Sequence, residues 1–154
     1  MKRINIQDID LNSLEVILDK AGRWVDGINH GRKILRDKDS FYKVFDMEYC
    51  RRQNFIDAYE FGFFDGLAPA LKSLIVDGDD IIGYITESGQ QLSTSEFDFD
   101  SIPKEFYKKV IDATIVKEMF FYDLVPINII KTKDGKISLI DLESVYPIEE
   151  LFQI

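Results

Sequence analysis

Asp123, Asn128 and Asp141 are the residues whose types and spacing best suit chemistry. Asp123 and Asn128 lie five residues apart in Tyr122-Asp123-Leu124-Val125-Pro126-Ile127-Asn128, and Asp141 follows thirteen residues later in Leu139-Ile140-Asp141-Leu142-Glu143. Between them sits Lys133-Asp134-Gly135-Lys136. Asp-Gly is a strong two-residue hairpin signal, because both central residues of a type I′ turn need positive φ. With that turn, residue 133 pairs with 136 and Asn128 falls opposite Asp141, their Cβ atoms about 5 Å apart. The same face is expected to carry Ile130, Leu139 and Ile137, which makes it an inward face. An amide and a carboxylate at the open end of a buried hairpin are oxygen ligands suited to Mg²⁺. Asp123 adds a second carboxylate to the same mouth. The plainer reading is a hairpin whose Asn and Asp act only as caps; the agreement of three polar positions with the turn register favours the chemical one.

A second candidate lies upstream. In Phe41-Tyr42-Lys43-Val44-Phe45, strand alternation puts Phe41, Lys43 and Phe45 on one face. A lysine between two phenylalanines either sits on an edge with its stem snorkelling or points inward to meet an anion.

These motifs need elements to hold them. Leu11, Leu14, Ile17 and Leu18 form a stripe that predicts a short amphipathic helix over 8–20. Residues 22–45 read as a β-meander turning at Asp37-Lys38-Asp39. A helix is expected from Glu48 to about Phe61, strands over 70–76 and 81–86 joined through Asp77-Gly78-Asp79, and a polar connector over 87–103. The longest helix is predicted over 104–120, with Pro103 at its start. The hairpin follows, and a short helix over 148–152 closes the chain.

The spacing at 122–143 resembles the catalytic loop of the protein-kinase-like superfamily, whose pattern is His-Arg-Asp-Leu-x-x-x-x-Asn, a hairpin, then Asp-Phe-Gly. The resemblance spans roughly residues 22–145. Ile140-Asp141-Leu142-Glu143 is closer to the small-molecule kinases (aminoglycoside, choline and sugar kinases) than to protein kinases. There are departures: Phe121-Tyr122 replaces His-Arg, Val125 replaces the loop lysine, and Leu142-Glu143 replaces Phe-Gly.

The resemblance implies an α+β fold: an antiparallel N-lobe sheet with one helix over about 1–86, a hinge or connector over 87–103, and a minimal C-lobe over 104–154. It implies ATP and Mg²⁺ as cofactors. Asp123 would accept or orient the acceptor hydroxyl proton, Asn128 and Asp141 would hold Mg²⁺, and Lys43 would pair the α- and β-phosphates. Glu60 would pair with Lys43, with Asp57 as the other choice. Backbone groups near Ile85–Glu87 would bond the adenine edge, with Tyr84 at the back of the pocket; an ordinary strand end is the equal alternative. The weakest match is the phosphate loop, for which Gly22, Gly27 and Gly31 are the candidates at unmatched spacing. His30 reads as a surface turn residue before a phosphate contact, and Trp24 as core before a stacking platform.

Composition limits the classes open to the chain. Of 154 residues 45% are hydrophobic and 13% aromatic, enough for a core rather than disorder. A formal net charge of −9 disfavours nucleic acid and anionic membrane surfaces as partners. Cys50 is the one cysteine, which rules out an internal disulfide. The N-terminus lacks the apolar run of a signal peptide, and a cytoplasmic setting is the default expectation. The chain ends thirteen residues after Asp141, before any helical platform for a peptide substrate. The acceptor is therefore expected to be a small molecule or glycan, and the face left bare, with Val145, Tyr146, Ile148, Leu151 and Phe152 nearby, is expected to favour a homodimer. Two functions stand side by side: an ATP- and Mg-dependent phosphotransferase, and a kinase-like pseudoenzyme acting as a nucleotide-binding or protein-interaction module.

Overall fold

Thirteen strands and two α-helices among the described residues make an α+β protein. The computed structural model describes residues 2–20, 24, 25, 28, 29, 32–45, 52–95 and 97–152. The glycines considered for a phosphate loop, Gly22, Gly27 and Gly31, lie outside the described residues, as do His30, Glu48, Cys50 and the side chain of Trp24. The chain divides into two compact units, Met1–Arg52 with Ala70–Ser88, and Gln53–Pro69 with Gly89–Ile154.

The first unit contains β1 (Arg3–Asn5), β2 (Glu15–Lys20), β3 (Trp24–Val25), β4 (Ile28–Asn29), β5 (Arg32–Arg36), β6 (Ser40–Val44), β7 (Leu71–Asp77) and β8 (Asp80–Glu87). Six of these form one sheet in the order β1-β7-β8-β6-β5-β2, and β3 and β4 pair separately. The sheet is mixed rather than antiparallel, because β1 runs parallel to β7 with Ile4 opposite Ile75. The expected helix over 8–20 is also replaced. Leu11–Ser13 makes a single 3₁₀ turn, and Glu15–Lys20 is an edge strand antiparallel to β5. The β-branched pair Val16-Ile17 favours a strand, and an isolated helix this short is marginal without a partner face. Strand pairing with β5 therefore overrides the helical stripe.

Residues β5 and β6 form as the meander predicts. Asp37 closes their turn: its Oδ1 accepts from the N–H groups of Asp39 at 3.0 Å and Ser40 at 2.9 Å. Tyr42 Oη donates to its Oδ2 at 2.6 Å. Burial pushes the Asp37 carboxyl up, but the hydrogen bonds from Tyr42, Asp39 and Ser40 and the nearby Lys72 outweigh it and hold it below the usual range. The same contact raises the Tyr42 phenol to about 12.

The second unit holds nearly all of α1 (Arg52–Glu60), then β9 (Gly89–Gln91), α2 (Lys104–Lys117), β10 (Met119–Phe121), β11 (Ile129–Thr132), β12 (Ile137–Leu139) and β13 (Val145–Pro147). Phe55 and Ala58 are the buried side of α1. Phe64, in the turn that follows, meets Phe55 at a ring separation of 6.1 Å and Phe63 edge-on at 5.3 Å. The carbonyl of Leu67 accepts from the Leu139 N–H at 2.6 Å, which ties this turn to β12.

In α2, Phe106 and Val110 are buried one turn apart. The helix stops at Lys117, three residues short of the expected end. Glu118 turns left-handed at φ 56 and its N–H bonds Thr114 O. Met119, Phe120 and Phe121 then alternate buried, exposed, buried, the period of a strand, and pair with β13. No helix among the described residues is long and apolar enough to cross a membrane.

The β11–β12 hairpin differs from its expected register by one residue. Ile129 faces Leu139, Ile130 faces Ser138 and Lys131 faces Ile137. Thr132 N–H bonds Lys136 O, which leaves Lys133, Asp134 and Gly135 as a three-residue loop with Gly135 at φ 86. A type I turn followed by a left-handed glycine is the usual three-residue solution. Asn128 consequently lies opposite Ile140, whose N–H bonds its carbonyl at 2.8 Å, and not opposite Asp141. Ile130 and Leu139 fall on different faces, and both are fully buried. β9 on the outer side of β11 completes a three-stranded sheet.

Candidate active site

The polar residues singled out at 122–143 all belong to the second unit, and hydrogen bonds join them. After β10 the chain passes through Asp123, then a 3₁₀ turn at Pro126–Asn128 that Pro126 opens. Asn128 is completely buried, and its Nδ2 donates to the Asp123 carbonyl at 3.0 Å. Its backbone carbonyl takes the Ile140 N–H. The next residue, Asp141, is 3% exposed and sits at φ 66. For a residue other than glycine that conformation costs about 1–2 kcal/mol, and such strain collects at functional sites. Ser144 holds the far side. Its N–H donates to Asp141 O and its Oγ to Asp141 Oδ2, both at 3.1 Å, and its own carbonyl accepts from Tyr122 N–H at 3.1 Å. Asp123, Asn128, Ile140, Asp141, Ser144 and Tyr122 are thus linked in one chain of contacts.

One atom in this network stands out. Asn128 Oδ1 is buried without a hydrogen-bond partner among the described residues. An unsatisfied buried carbonyl costs about 1–3 kcal/mol, and its Nδ2 bond fixes which way it faces. A hard cation would satisfy it, and Mg²⁺ is usually held by only one or two protein carboxylates while water and phosphate fill the rest of its shell. Asn128 and Asp141 fit that pattern. Among the described residues no three His, Cys, Asp or Glu side chains converge closely enough to hold a metal by themselves, so a metal here would depend on an amide and on its own waters.

Sequence reasoning missed three members of the site. Ser144 orients Asp141. Glu143, noted only as a departure from the family pattern, has both carboxylate oxygens shielded from solvent. Tyr122 is 49% exposed, and its ring meets that of Tyr146 at a tilt, 5.4 Å apart; Tyr146 lies 5.5 Å from Phe120. Desolvation raises the Tyr122 phenol; a hydrogen bond with Ser144 works against it, and the charges of Asp141, Asp123 and Glu143 add to the rise. The phenol therefore stays protonated at the edge of a negative mouth. Its signal in sequence is the alternation Phe120-Phe121-Tyr122, which begins at the last residue of the helix expected over 104–120.

The first unit holds Lys43, Ile85 and Glu87. Lys43 is 6% exposed between Phe41 and Phe45, both buried, as alternation predicts. It pairs with Ile34 on one side and Tyr84 on the other, and Tyr84 meets Phe45 at 5.8 Å. Ile85 and Glu87 lie within β8, between β6 and β7. Ile85 faces Tyr42 and Ser73, and Glu87 N–H donates to Ala70 O. The backbone groups of this stretch are largely committed to the sheet, as in an ordinary strand end, the equal alternative for them. Of the acids on α1, in the second unit, Glu60 is exposed at the last turn, and Asp57 Oδ1 accepts from Gln53 Nε2 at 2.9 Å. No family model matches the chain, and no curated protein matches it in sequence.

Proposed function

We propose that this chain is a protein-kinase-like phosphotransferase that moves the γ-phosphoryl group of ATP to a hydroxyl of a small molecule or glycan. The observation that carries the reading is the buried Asn128 Oδ1, without a hydrogen-bond partner among the described residues, on a residue whose carbonyl binds Ile140, next in the chain to the left-handed Asp141. A divalent cation ligated there by Asn128 and Asp141 would neutralise the charge of the phosphate groups. Ser144 keeps the Asp141 carboxylate oriented, and the Asn128 side-chain bond keeps Asp123 in place. Asp123 then orients the acceptor hydroxyl and takes its proton. Since phosphoryl transfer runs through a loose transition state, positioning counts for more than base strength. The exposed rings of Tyr122 and Phe120, each tilted against Tyr146, offer an apolar surface near Asp123 for the carbon face of an acceptor.

The element order supports the reading: after β1 come three further strands of the six-stranded sheet (β2, β5 and β6), α1, the strands β7 and β8, then β9, a connector, α2, β10 and the β11–β12 hairpin. The test is phosphoryl transfer from labelled Mg-ATP to pooled sugars, amino alcohols and cell extract. Wild type should label a product that Asp123→Asn does not. Nucleotide binding with no transfer by either protein would leave the pseudoenzyme, a nucleotide-binding module, as the function.

A further inference from the structure

The β10–β13 ribbon sorts its residues by side. Phe121 and Val145 face each other and are buried, so Val145 takes no part in the bare face expected from the sequence. Phe120 faces Tyr146 on the outer side. Tyr122 continues the outward alternation one step past β10, and its ring also meets Tyr146. Of the two rings against Tyr146, that of Tyr122 is the one that reaches the candidate site. Its N–H donates to Ser144 O at 3.1 Å, and its phenol is hydrogen-bonded to the Ser144 side chain. Ser144 Oγ in turn donates to Asp141 Oδ2 at 3.1 Å.

We propose that Tyr122 is a positioning residue for the metal site: its hydroxyl holds the Ser144 side chain in the rotamer that orients the Asp141 carboxylate. The inference rests on the proposed binding of Mg²⁺ by Asn128 and Asp141 and deepens it. A serine side chain has three staggered wells about χ1, and Oγ must stay in the one that faces Asp141 to keep its bond to Oδ2. The backbone bonds from Ser144 N–H to Asp141 O and from Tyr122 N–H to Ser144 O fix where the residue lies, but not that rotamer. A hydroxyl can bond two partners at once, and the phenol supplies the second. Tyr146, 5.4 Å from the Tyr122 ring, limits how far that ring can swing away. Groups that orient a metal-ligating carboxylate matter to metal affinity nearly as much as the ligand itself. The phenol also suits a negative mouth: desolvation and the charges of Asp141, Asp123 and Glu143 keep its proton on, so it adds no further charge beside the carboxylates. Packing against Tyr146 needs only a ring, which phenylalanine would supply equally well; the contact with Ser144 needs the hydroxyl.

The test titrates Mg²⁺ into the full chain at fixed, saturating ATP and takes the concentration that gives half of the Mg²⁺-dependent thermal shift. Tyr122→Phe keeps the ring and removes the hydroxyl. It should raise that concentration about threefold to tenfold, with the metal-free melting temperature close to that of wild type because the position is half-exposed. Ser144→Ala, which touches Asp141 itself, should raise it about tenfold or more. Tyr122→Phe added to Ser144→Ala should raise it no further, since the phenol then has no hydroxyl to hold. A Tyr122→Phe value equal to that of wild type overturns the inference, and so does a double variant in which the two effects multiply. A lowered metal-free melting temperature with an unchanged Mg²⁺ requirement would make Tyr122 a packing residue and overturn it too. Each of these outcomes leaves the proposed function standing. A wild type with no Mg²⁺-dependent shift would remove both.

Discussion

The β7–β8 and β11–β12 hairpins both turn on a glycine in the left-handed region, Gly78 at φ 61 and Gly135 at φ 86. In β7–β8, Asp77 pairs with Asp80 and two residues make the loop. In β11–β12 a third residue enters, between Thr132 and Lys136. The first hairpin keeps its acids, Asp77, Asp79 and Asp80, exposed at the tip. The second gathers polar groups at its base, where Asn128, Asp141 and Ser144 are buried. Acids at a solvated tip cost little and do little. Acids at a buried base must be paired, oriented or ligated, which is why the base of β11–β12 is the place to look for chemistry.

The largest effect that separates the two should be on turnover. Asp123→Asn is expected to lower phosphoryl transfer by about 10²-fold or more with nucleotide affinity nearly unchanged. Asp79→Asn at the β7–β8 tip should leave both unchanged. Steady-state kinetics with direct binding measurements would show it; loss of nucleotide affinity with turnover intact would mean that Asp123 has been given the wrong role.

Next comes the support for Asp141. Ser144→Ala removes a hydrogen bond to a buried carboxylate and should cost about 1.5–3 kcal/mol in urea unfolding of the metal-free protein. Gly135→Ala and Gly78→Ala should each cost about 1–2 kcal/mol, since both force a side chain into the left-handed region. Only Gly135→Ala should also weaken the response to Mg-ATP, because its loop sets the register that puts Asn128 against Ile140. Equal effects of the two glycine variants on ligand response would remove the distinction between the hairpins.

The smallest effect lies in the β5–β6 turn. The Tyr42 phenol is raised to about 12, so its contribution is complete below its ordinary value near 10 and is lost as pH climbs from there toward 12. Asp37 is lowered, so its contribution is present above its ordinary carboxylate range and is lost as pH falls through its folded value. Both groups face solvent in part, which limits the size. Tyr42→Phe should cost about 0.5–1 kcal/mol at neutral pH and flatten the alkaline limb of a stability–pH curve. An alkaline limb unchanged by the substitution would assign it to another group.

Much of this could be read from residue order alone. The strands of residues 32–44 and 71–87 follow from alternation and turn residues, and the inward side of Lys43 from its two phenylalanine neighbours. The grouping of Asp123, Asn128 and Asp141 near one hairpin followed from their spacing. What failed failed for local reasons. Asp134-Gly135 signals a turn but does not count its residues, and one extra residue moved Asn128 from Asp141 to Ile140. Leu11, Leu14, Ile17 and Leu18 satisfy a helical period, yet pairing with β5 won. Glu118 gave no sign of taking a left-handed conformation, and β10 with its aromatic rings was lost inside the helix. The part played by Ser144 depends on a tertiary contact to Asp141 that no periodicity encodes.

The most direct test of the central claim is the thermal shift caused by Mg-ATP on wild type and on Asp141→Asn. Asparagine tolerates the left-handed backbone at this position better than alanine would, so the variant should fold. At about 100 times its dissociation constant the nucleotide should stabilise wild type by about 2.7 kcal/mol, a rise on the order of 5–10 °C for a domain of this size. The account predicts that this rise needs Mg²⁺ in wild type and that the Mg²⁺-dependent part vanishes in Asp141→Asn. A wild-type melting temperature unmoved by millimolar Mg-ATP, or a shift that survives Asp141→Asn undiminished, would contradict it.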